Sequence, residues 1–378
     1  MSLRYTGAWL QDGAFNPLAT PTPSYTYELW SWGSNPSGEL GLGNTTYRSS
    51  PNQVGALTNW IFIAGGQEHS LAVKTDGTFW SWGRNNIGQL GQGNTTYYSS
   101  PKQVGSLTNW STNTAGGGNH SVAVKTDGTL WVWGAGGVGR LGLGNTNNYS
   151  SPKQVGALTN WAYVSCNINS TLSIKTDGTL WSWGQNTAGQ LGLSNTYDYS
   201  SPKQVGALTT WLKVASGRYH NIAIRTNGTL WSWGLNTQGM LGLGDTASRS
   251  SPTQIGSLTT WTQIACGNRS SFAIKTDGTL WSWGINGNGQ LGLGNTTDYS
   301  SPKQIGALTN WLYISAGSYY AISVKTDGTI WSWGQNSSGQ LGLGNTTGYS
   351  SPKQIGLLTT WSILSKMPFS TFTLALKY

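Results

Sequence analysis

Three histidines are the residues of this chain best suited by type to bind a metal. His69, His120 and His220 each stand five residues before the basic residue of a recurring Lys/Arg-Thr-Asp/Asn-Gly segment. Three imidazoles bind zinc when they converge on one point. These three belong to the first, second and fourth units of a repeat, and no carboxylate recurs beside them to orient the rings. We therefore expect each histidine to be a hydrogen-bonding residue at the inner end of a blade, and we predict no metal site.

The most regular acidic residues belong to a turn. Asp76 and its equivalents occupy the third position of Lys-Thr-Asp-Gly, and Asn227 replaces the aspartate in one unit, which keeps the turn and removes the charge. The Gly-Leu-Gly-Asn-Thr segments lack the following lysine and the helix of a phosphate-binding loop. No Ser/His/Asp set and no pair of carboxylates stands out from the repeat. We therefore predict a protein that is not an enzyme and that uses no cofactor.

An internal repeat supplies the elements that must position these residues. The segment Trp-x-Trp-Gly recurs seven times, at steps of 50 or 51 residues, which is the signature of a repeat architecture. The two-residue period of a strand places both tryptophans of each copy on one face. We predict that they are structural and fill the space between units. They are Trp30, Trp32, Trp80, Trp82, Trp131, Trp133, Trp181, Trp183, Trp231, Trp233, Trp281, Trp283, Trp331 and Trp333.

Each unit contains the pattern of four short strands. In the second copy these are residues 79–83, 99–104, 110–114 and 121–125, and a Thr-Asp-Gly turn then leads into the next unit. No segment shows a period of 3.6 residues, so helices should be nearly absent. The fold class predicted is all-β, a seven-bladed β-propeller of four-stranded blades.

The two ends of the chain each supply half of the same hairpin. Residues 25–33 match the strand that follows the turn, and residues 371–377 match the strand that precedes it. We therefore predict that the ring is closed by pairing of the N- and C-terminal strands. The predicted domains are an N-terminal extended arm, residues 1–24, and the propeller, residues 25–378.

The predicted arm is the candidate anchor of the molecule. It carries Trp9, Leu10 and Phe15, enough apolar surface to dock on a protein partner, although a terminal arm can also lack order. The chain opens with no apolar signal region, and no stretch approaches a membrane span. We therefore predict no signal peptide and no membrane insertion. Cys166 and Cys266 stand at a small-residue position of non-adjacent units, so we expect free, buried thiols.

The net charge of +9 comes largely from two repeated lysine positions. The first set precedes each Thr-Asp-Gly turn, and the second follows five of the seven Ser-Ser-Pro segments. In a closed ring these become two circles of spaced charge rather than one dense patch, a pattern that argues against nucleic acid as a partner. We expect both circles to be solvated, and we take the second as a candidate binding set for an acidic partner. Its members are Lys102, Lys153, Lys203, Lys303 and Lys353.

The repeat resembles that of a known family. Trp-Ser-Trp-Gly-x-Asn-x-x-Gly-Gln-Leu-Gly-x-Gly, followed by Ser-Pro-x-Gln-Val and His-Ser-x-Ala-Val, is similar to the regulator of chromosome condensation repeat, over residues 25–378. The resemblance implies a seven-bladed propeller. It also implies a role in binding a small GTPase or chromatin, although successive units differ by only one residue in length and leave no room for the wedge-like insertion on which nucleotide exchange depends in that family.

Three functions remain open from the sequence. The first is a structural or decoration protein of a bacteriophage-like virion, anchored to capsid or tail proteins through residues 1–24 and located on the virion surface. The second is a cytoplasmic regulator that binds a small GTPase or chromatin through one propeller face. The third is a lectin-like propeller that stacks sugars on exposed tryptophans. The low charge, the polar surface and the apolar arm favour the virion component.

Overall fold

The structure of the protein, a computed structural model, describes residues 27–378. Its 28 strands form seven four-stranded antiparallel sheets, and the only helical segment of these residues is one 3₁₀ turn, Gly137–Gly139. The predicted all-β seven-bladed propeller is confirmed. The residues of the predicted arm, Trp9, Leu10 and Phe15 among them, lie outside the described part of the chain.

Each blade is built from an inner, a second, a third and an outer strand. The inner strands line the central cavity and are β3 (Trp60–Gly65), β7 (Trp110–Gly116), β11 (Trp161–Cys166), β15 (Trp211–Ser216), β19 (Trp261–Cys266), β23 (Trp311–Ala316) and β27 (Trp361–Leu364). The second strands are β4 (His69–Lys74), β8 (His120–Lys125), β12 (Ser170–Lys175), β16 (His220–Arg225), β20 (Ser270–Lys275), β24 (Tyr320–Lys325) and β28 (Phe372–Lys377).

The Trp-x-Trp-Gly motif forms the third strand of every blade. The third strands are β1 (Glu28–Gly33), β5 (Phe79–Gly83), β9 (Leu130–Gly134), β13 (Leu180–Gly184), β17 (Leu230–Gly234), β21 (Leu280–Gly284) and β25 (Ile330–Gly334). The outer strands are β2 (Arg48–Gln53), β6 (Tyr98–Gln103), β10 (Tyr149–Gln154), β14 (Tyr199–Gln204), β18 (Arg249–Gln254), β22 (Tyr299–Gln304) and β26 (Tyr349–Gln354).

The ring closes where the two ends of the propeller meet. The order of the closing sheet is β2-β1-β28-β27, and β1 pairs with β28 from Glu28 opposite Lys377 to Gly33 opposite Phe372. The predicted pairing of residues 25–33 with residues 371–377 is therefore confirmed, with the ladder beginning at Glu28. Closure removes the two free sheet edges that an open row of blades would expose.

The blades are joined by the second tryptophan of each motif. Its ring is buried, and its Nε1–H donates to a backbone carbonyl in the long loop of the preceding blade: Trp82 bonds Glu39, and Trp133 bonds Gln89, both at 2.9 Å. The same bond joins Trp32 to Gln340, at 3.0 Å, across the point of closure. A buried indole needs such a partner, so the motif sets both the packing and the order of the blades.

The asparagine that follows each motif shapes the long loop. The side-chain amide of Asn85 donates to the carbonyls of Asn94 and Thr96 and accepts from the backbone N–H of Leu90. One unit has Gly136 at this place, and there the loop forms the 3₁₀ turn instead, with Val138 at φ 56°. Where the asparagine is present, its side-chain hydrogen bonds therefore determine the conformation of the long loop.

The cysteines behave as expected. Cys166 and Cys266 are free and buried at the ends of β11 and β19. Burial raises the pKa of both thiols to about 12, so they stay protonated and act as small apolar side chains.

Candidate binding surfaces of the ring

The ring has two faces, which the strand register defines. Pairing places Trp161, Lys175, Trp181 and Gln204 at one end of their blade. We call this end the turn face, because the Thr-Asp-Gly turns and the connectors between blades lie there. The opposite end, the loop face, carries the short loops between inner and second strands and the beginning of each long loop after the Trp-x-Trp-Gly strand.

The first lysine circle lies on the turn face and is not solvated, so that expectation is wrong. Lys74, Lys125, Lys175 and Lys325 are only 5–6% exposed. Each ammonium sits over two indole rings: Lys175 Nζ lies 3.8 Å from the centroid of Trp181 and 4.7 Å from that of Trp161. This is cation–π geometry, and burial lowers the pKa of Lys175. These lysines are part of the structure of each blade.

A short relay of hydrogen bonds fixes the tryptophan beneath each of these lysines. Asp76 Oδ1 accepts from the backbone N–H and the hydroxyl of Thr78, at 2.9 and 2.6 Å, and the Thr78 hydroxyl accepts from Trp80 Nε1–H, at 2.8 Å. The hydrogen bond from the Thr78 side chain is the main reason that the pKa of Asp76 is lowered. The predicted turn aspartate therefore also orients an aromatic ring, which the sequence did not indicate.

The second lysine circle lies on the outer strands. Lys102, Lys153, Lys203, Lys303 and Lys353 are all exposed, and each ammonium lies 4.4–5.6 Å from the ring of the tyrosine four residues before it. The five side chains stand on five different blades around the rim. The structure does not bring them together, so they do not form one site.

The predicted structural tryptophans fall into two classes. The second of each motif is fully buried: Trp32, Trp82, Trp133, Trp183, Trp233, Trp283 and Trp333. The first of each motif is half-buried at the turn face: Trp30, Trp80, Trp131, Trp181, Trp231, Trp281 and Trp331. In the blades that carry lysine and threonine, the half-buried indole has its N–H bonded to threonine and an ammonium on its face, which leaves less of it for a stacked sugar.

The three histidines join neighbouring blades. Each is fully buried, and its Nε2 lies 2.9–3.1 Å from a hydroxyl of the next blade: Ser121 for His69, Thr171 for His120 and Ser271 for His220. Burial lowers the pKa of His69 and of His220 to about 3. The imidazoles are neutral at pH 7 and, as expected, make hydrogen bonds.

No metal cluster or membrane-crossing helix is found in residues 27–378. No three His, Cys, Asp or Glu side chains of this part of the chain stand close enough together to hold an ion. None of its segments forms a helix long and apolar enough to cross a membrane.

The loop face is where the units differ. The two residues before the second strand are Gln67 and Glu68 in one blade, and Ile168 and Asn169 two blades on. Three consecutive blades carry Arg218 and Tyr219, then Arg269, then Tyr319, all partly exposed. Arg218 stacks on Tyr219, with its guanidinium carbon 5.4 Å from the ring centroid. Arginines and tyrosines thus lie on three consecutive blades of this face, which their wide separation along the chain does not indicate.

The carboxyl groups of Glu68 and Glu39 lie on another part of the loop face. Glu68 forms an ion pair with Arg84 at 3.1 Å and accepts a hydrogen bond from the Ser37 hydroxyl at 3.3 Å. Glu39, nearby, is buried where four other units have glutamine. Burial, with a smaller contribution from Glu68, raises the pKa of Glu39 to about 7. The loop face is therefore uneven in charge as well as in shape.

The central cavity is narrow and carries two ammonium groups. Its volume is about 80 Å³. Lys366 Nζ donates to the Tyr163 hydroxyl at 2.9 Å, and Lys213 Nζ donates to the carbonyl of Thr262 at 2.8 Å. The Lys213 bond joins two neighbouring blades, and the Lys366 bond joins two blades that are not adjacent in the ring. Both lysines therefore contribute to the packing of the ring.

Comparison with known proteins places most of the chain in one family. The family model described as "RCC1-like domain" matches residues 112–370, well over half of the sequence. The "Regulator of chromosome condensation (RCC1) repeat" matches residues 28–73 and 76–124, and a second description of this repeat matches residues 60–89.

Curated relatives of this protein align with only part of its sequence. The ultraviolet-B receptor UVR8 of Arabidopsis thaliana is 33% identical over 136 residues, which are 35% of this chain and 31% of the receptor. The probable E3 ubiquitin-protein ligase HERC4 of Mus musculus is 29% identical over 128 residues, which are 33% of this chain and 12% of the ligase. The matched segment therefore spans less than a third of the length of either relative.

A solved structure shares the whole fold. Prp20p from Saccharomyces cerevisiae, whose crystal structure is described together with its binding to Gsp1p and histones, superposes with a TM-score of 0.83 at 21% identity. The superposition covers 100% of this chain and 95% of that one. At this level of identity, the likeness establishes the fold alone. The capsid or tail partners predicted for residues 1–24 find no support in these relatives and remain a prediction.

Proposed function

Because the chain belongs to the family of RCC1-like domains, we propose that it is a non-catalytic binding module that docks a protein partner on its loop face. The observation that carries the proposal is the distribution of differences between units. The turn face repeats a Thr-Asp-Gly or Thr-Asn-Gly turn in six blades and a Leu-Thr connector in all seven, whereas the loops of the opposite face change from blade to blade.

This difference decides which face suits a single partner. A face that repeats nearly the same turn in six of its seven blades offers six nearly equivalent orientations, so it discriminates poorly between orientations of an asymmetric protein. The loop face has one side rich in arginine and tyrosine and another side that carries the Glu68–Arg84 ion pair. Such an uneven pattern of charge supports one orientation over the others.

The chemistry of the loop face indicates the class of partner. Arginine and tyrosine are enriched among the residues that dominate binding energy at protein interfaces. Arg218 and Arg269 favour a carboxylate-bearing surface, because a guanidinium binds a carboxylate through two parallel hydrogen bonds. We take a small GTPase as the first partner to test, since the relative Prp20p binds Gsp1p, and histones as the second. Histones are themselves basic, so the arginine cluster favours the GTPase.

The proposal is tested with a charge reversal on the loop face. Full-length wild-type protein, the double variant Arg218→Glu/Arg269→Glu and the control Lys303→Glu on the outer rim are compared for binding to a purified small GTPase and to histones by calorimetry. Loss of two interface arginines should weaken binding at least about tenfold. The rim control changes the net charge by two, as each arginine substitution does, without touching the loop face, so it should bind as wild type does.

Two results would overturn the proposal. If neither protein binds, affinity capture from the source cells with the wild-type protein and the same two variants replaces the purified candidates. A captured partner that is equally retained by the loop-face variant would then rule out this surface. If the rim control weakens binding as much as the double variant, the interaction depends on overall charge and not on the loop face.

A further inference from the structure

The central cavity is lined by a repeated position whose chemistry changes from blade to blade. Lys213 pairs opposite Ile224 in its blade, and Gln263 pairs opposite Ile274 in the next, so the two lysine and glutamine places are equivalent. The residue opposite is valine or isoleucine in five blades, whereas the lining residue differs in charge and polarity. The lining residues at this place are Phe62, Tyr163, Lys213, Gln263 and Tyr313. The ring therefore gathers polar groups at its axis, where packing alone favours apolar ones.

Lys366 adds a second ammonium from a position that is small in every other blade. The backbone carbonyl of Lys366 accepts from the N–H of Gly65 at 3.0 Å, which fixes the base of the side chain beside the first inner strand. Its Nζ reaches the hydroxyl of Tyr163, in a blade that is not adjacent, so the side chain crosses the cavity. The equivalent residues of the other blades are Gly65, Gly116, Cys166, Ser216, Cys266 and Ala316.

The ammonium of Lys366 has donors to spare. An ammonium carries three N–H groups. One donates to the Tyr163 hydroxyl at 2.9 Å, and Nζ lies 4.0 Å from the centroid of the Tyr163 ring. The other two make no hydrogen bond within residues 27–378. Lys366 is half-buried in the cavity wall, so an acceptor that enters the cavity can take these donors.

The cavity favours a small anion by charge and by size. Its described lining contains Lys213 and Lys366 and no aspartate or glutamate. Lys213 is only 9% exposed, and an anion beside a buried ammonium offsets the cost of removing that charge from water. The volume of about 80 Å³ exceeds the roughly 30 Å³ that one water molecule occupies in the liquid. A carboxylate or phosphate group fits such a space, whereas a folded partner does not.

We propose that the central cavity binds a small oxyanion, a carboxylate or a phosphate, which accepts hydrogen bonds from Lys366 and pairs with the charge of Lys213. The oxyanion has two possible sources, a free ion from solution and the carboxylate of Asp12, the one acidic residue among residues 1–26. The experiment separates these sources. The site does not involve Arg218 or Arg269, so the failure of this proposal and the failure of the loop-face proposal are distinguishable.

Binding is measured on the full-length protein with inorganic phosphate and with acetate, by calorimetry and by the shift of the unfolding temperature. Ionic strength is kept constant with chloride. Lys366→Met and Lys213→Gln each remove one ammonium, and the second reproduces the residue found in the next blade. Each should lower the affinity for the bound anion at least about tenfold. Lys303→Met, on the exposed rim, is the control for net charge and should bind as wild type does.

Tyr163→Phe separates anion binding from structural support. It removes the hydroxyl that accepts from Lys366, keeps the ammonium, and reproduces Phe62 at the equivalent place of another blade. If Lys366 acts only through its bond to Tyr163, this variant should behave as Lys366→Met does. We expect Tyr163→Phe to retain anion binding and Lys366→Met to lose it. Thermal unfolding without added anion shows beforehand that each variant folds.

Asp12→Asn distinguishes the two sources of the oxyanion. If the occupant is a free ion, wild type and Asp12→Asn should bind phosphate or acetate equally. If the occupant is the Asp12 carboxylate, only Asp12→Asn should bind the added anion, and combining it with Lys366→Met should abolish that binding.

Three results would overturn the proposal. The first is that neither wild type nor Asp12→Asn binds either anion. The second is that binding survives in a protein with both Lys213→Gln and Lys366→Met. The third is that Tyr163→Phe loses binding to the same extent as Lys366→Met, which would make the contribution of Lys366 structural.

Discussion

The ammonium of Lys125 lies 3.9 Å from the centroid of the Trp131 ring and 5.0 Å from that of Trp110. The second strand, the third strand and the inner strand of one blade thus converge on a single buried charge. The same arrangement recurs in the other blades that carry this lysine. In the closing blade Lys377 takes the role, 4.4 Å from Trp30, and also pairs with Glu28 at 3.3 Å.

This relationship predicts the effect of removing the charge. Lys125→Met keeps most of the aliphatic stem but loses the cation–π contacts, so the free energy of unfolding should fall by about 1 kcal/mol. The control is Lys153→Met on the outer strand, where the ammonium is exposed and 5.6 Å from Tyr149, and its stability should be unchanged. Urea unfolding of both variants measures the difference. A Lys125→Met protein as stable as wild type would mean that desolvation of the ammonium cancels the attraction.

The closing pair of strands predicts the consequence of a truncation. Removal of residues 371–378 deletes β28 and leaves β1 and β27 without the strand that joins them. Two unpaired edges promote association, so the truncated chain should aggregate and unfold at a lower temperature. Light scattering during a thermal scan measures both effects, and a chain that lacks only Tyr378 is the control. A truncated chain that stayed monomeric and equally heat-resistant would contradict closure by these strands.

The buried histidines predict a loss of stability in mild acid. The folded-state pKa of His69 and of His220 is about 3, below the usual 6.5, so the unfolded chain binds more protons between these values. The free energy of unfolding should therefore fall as the pH drops below 6.5, by up to about 1.4 kcal/mol per pH unit for each histidine. Serine stands naturally at the equivalent position of three units, so a variant with serine in place of His69, His120 and His220 is the comparison. Its stability should depend less on pH between 6.5 and 4.5, whatever its stability at pH 7. Equal slopes would show that the imidazoles are protonated in the folded ring.

Glu39 predicts the opposite dependence on pH. Its pKa is raised from 4.5 to about 7, so the folded state holds the proton more tightly, and this residue destabilises the ring increasingly as the pH rises from 4.5 to 7. Glu39→Gln introduces the residue found at the equivalent position of four other units. It should stabilise the protein at pH 8 by up to about 3 kcal/mol and should have little effect at pH 4.5. Urea unfolding at the two pH values measures this. A variant no more stable than wild type at pH 8 would show that Glu39 ionises inside the loop without cost.

The sequence by itself determined the architecture. Seven copies of Trp-x-Trp-Gly fixed the number of blades, and the half-hairpins at the ends identified the strands that close the ring. This works because each blade contacts only its neighbours and repeats the same local interactions, so one unit describes all of them. The turn role of Asp76 and the hydrogen-bonding role of the histidines followed from the same reasoning.

Only the tertiary structure decided which repeated residues are accessible. The two lysine circles look alike in the sequence, yet Lys125 is buried between two indoles and Lys153 is exposed on the rim. Their difference depends on whether the strand lies second or outermost in its blade, and strand order is not a local property. The variable loops are likewise dispersed along the chain, and the ring gathers them on one face. Periodicity specifies what each unit is, whereas the closed ring specifies which side chains of different units meet and which remain in contact with water.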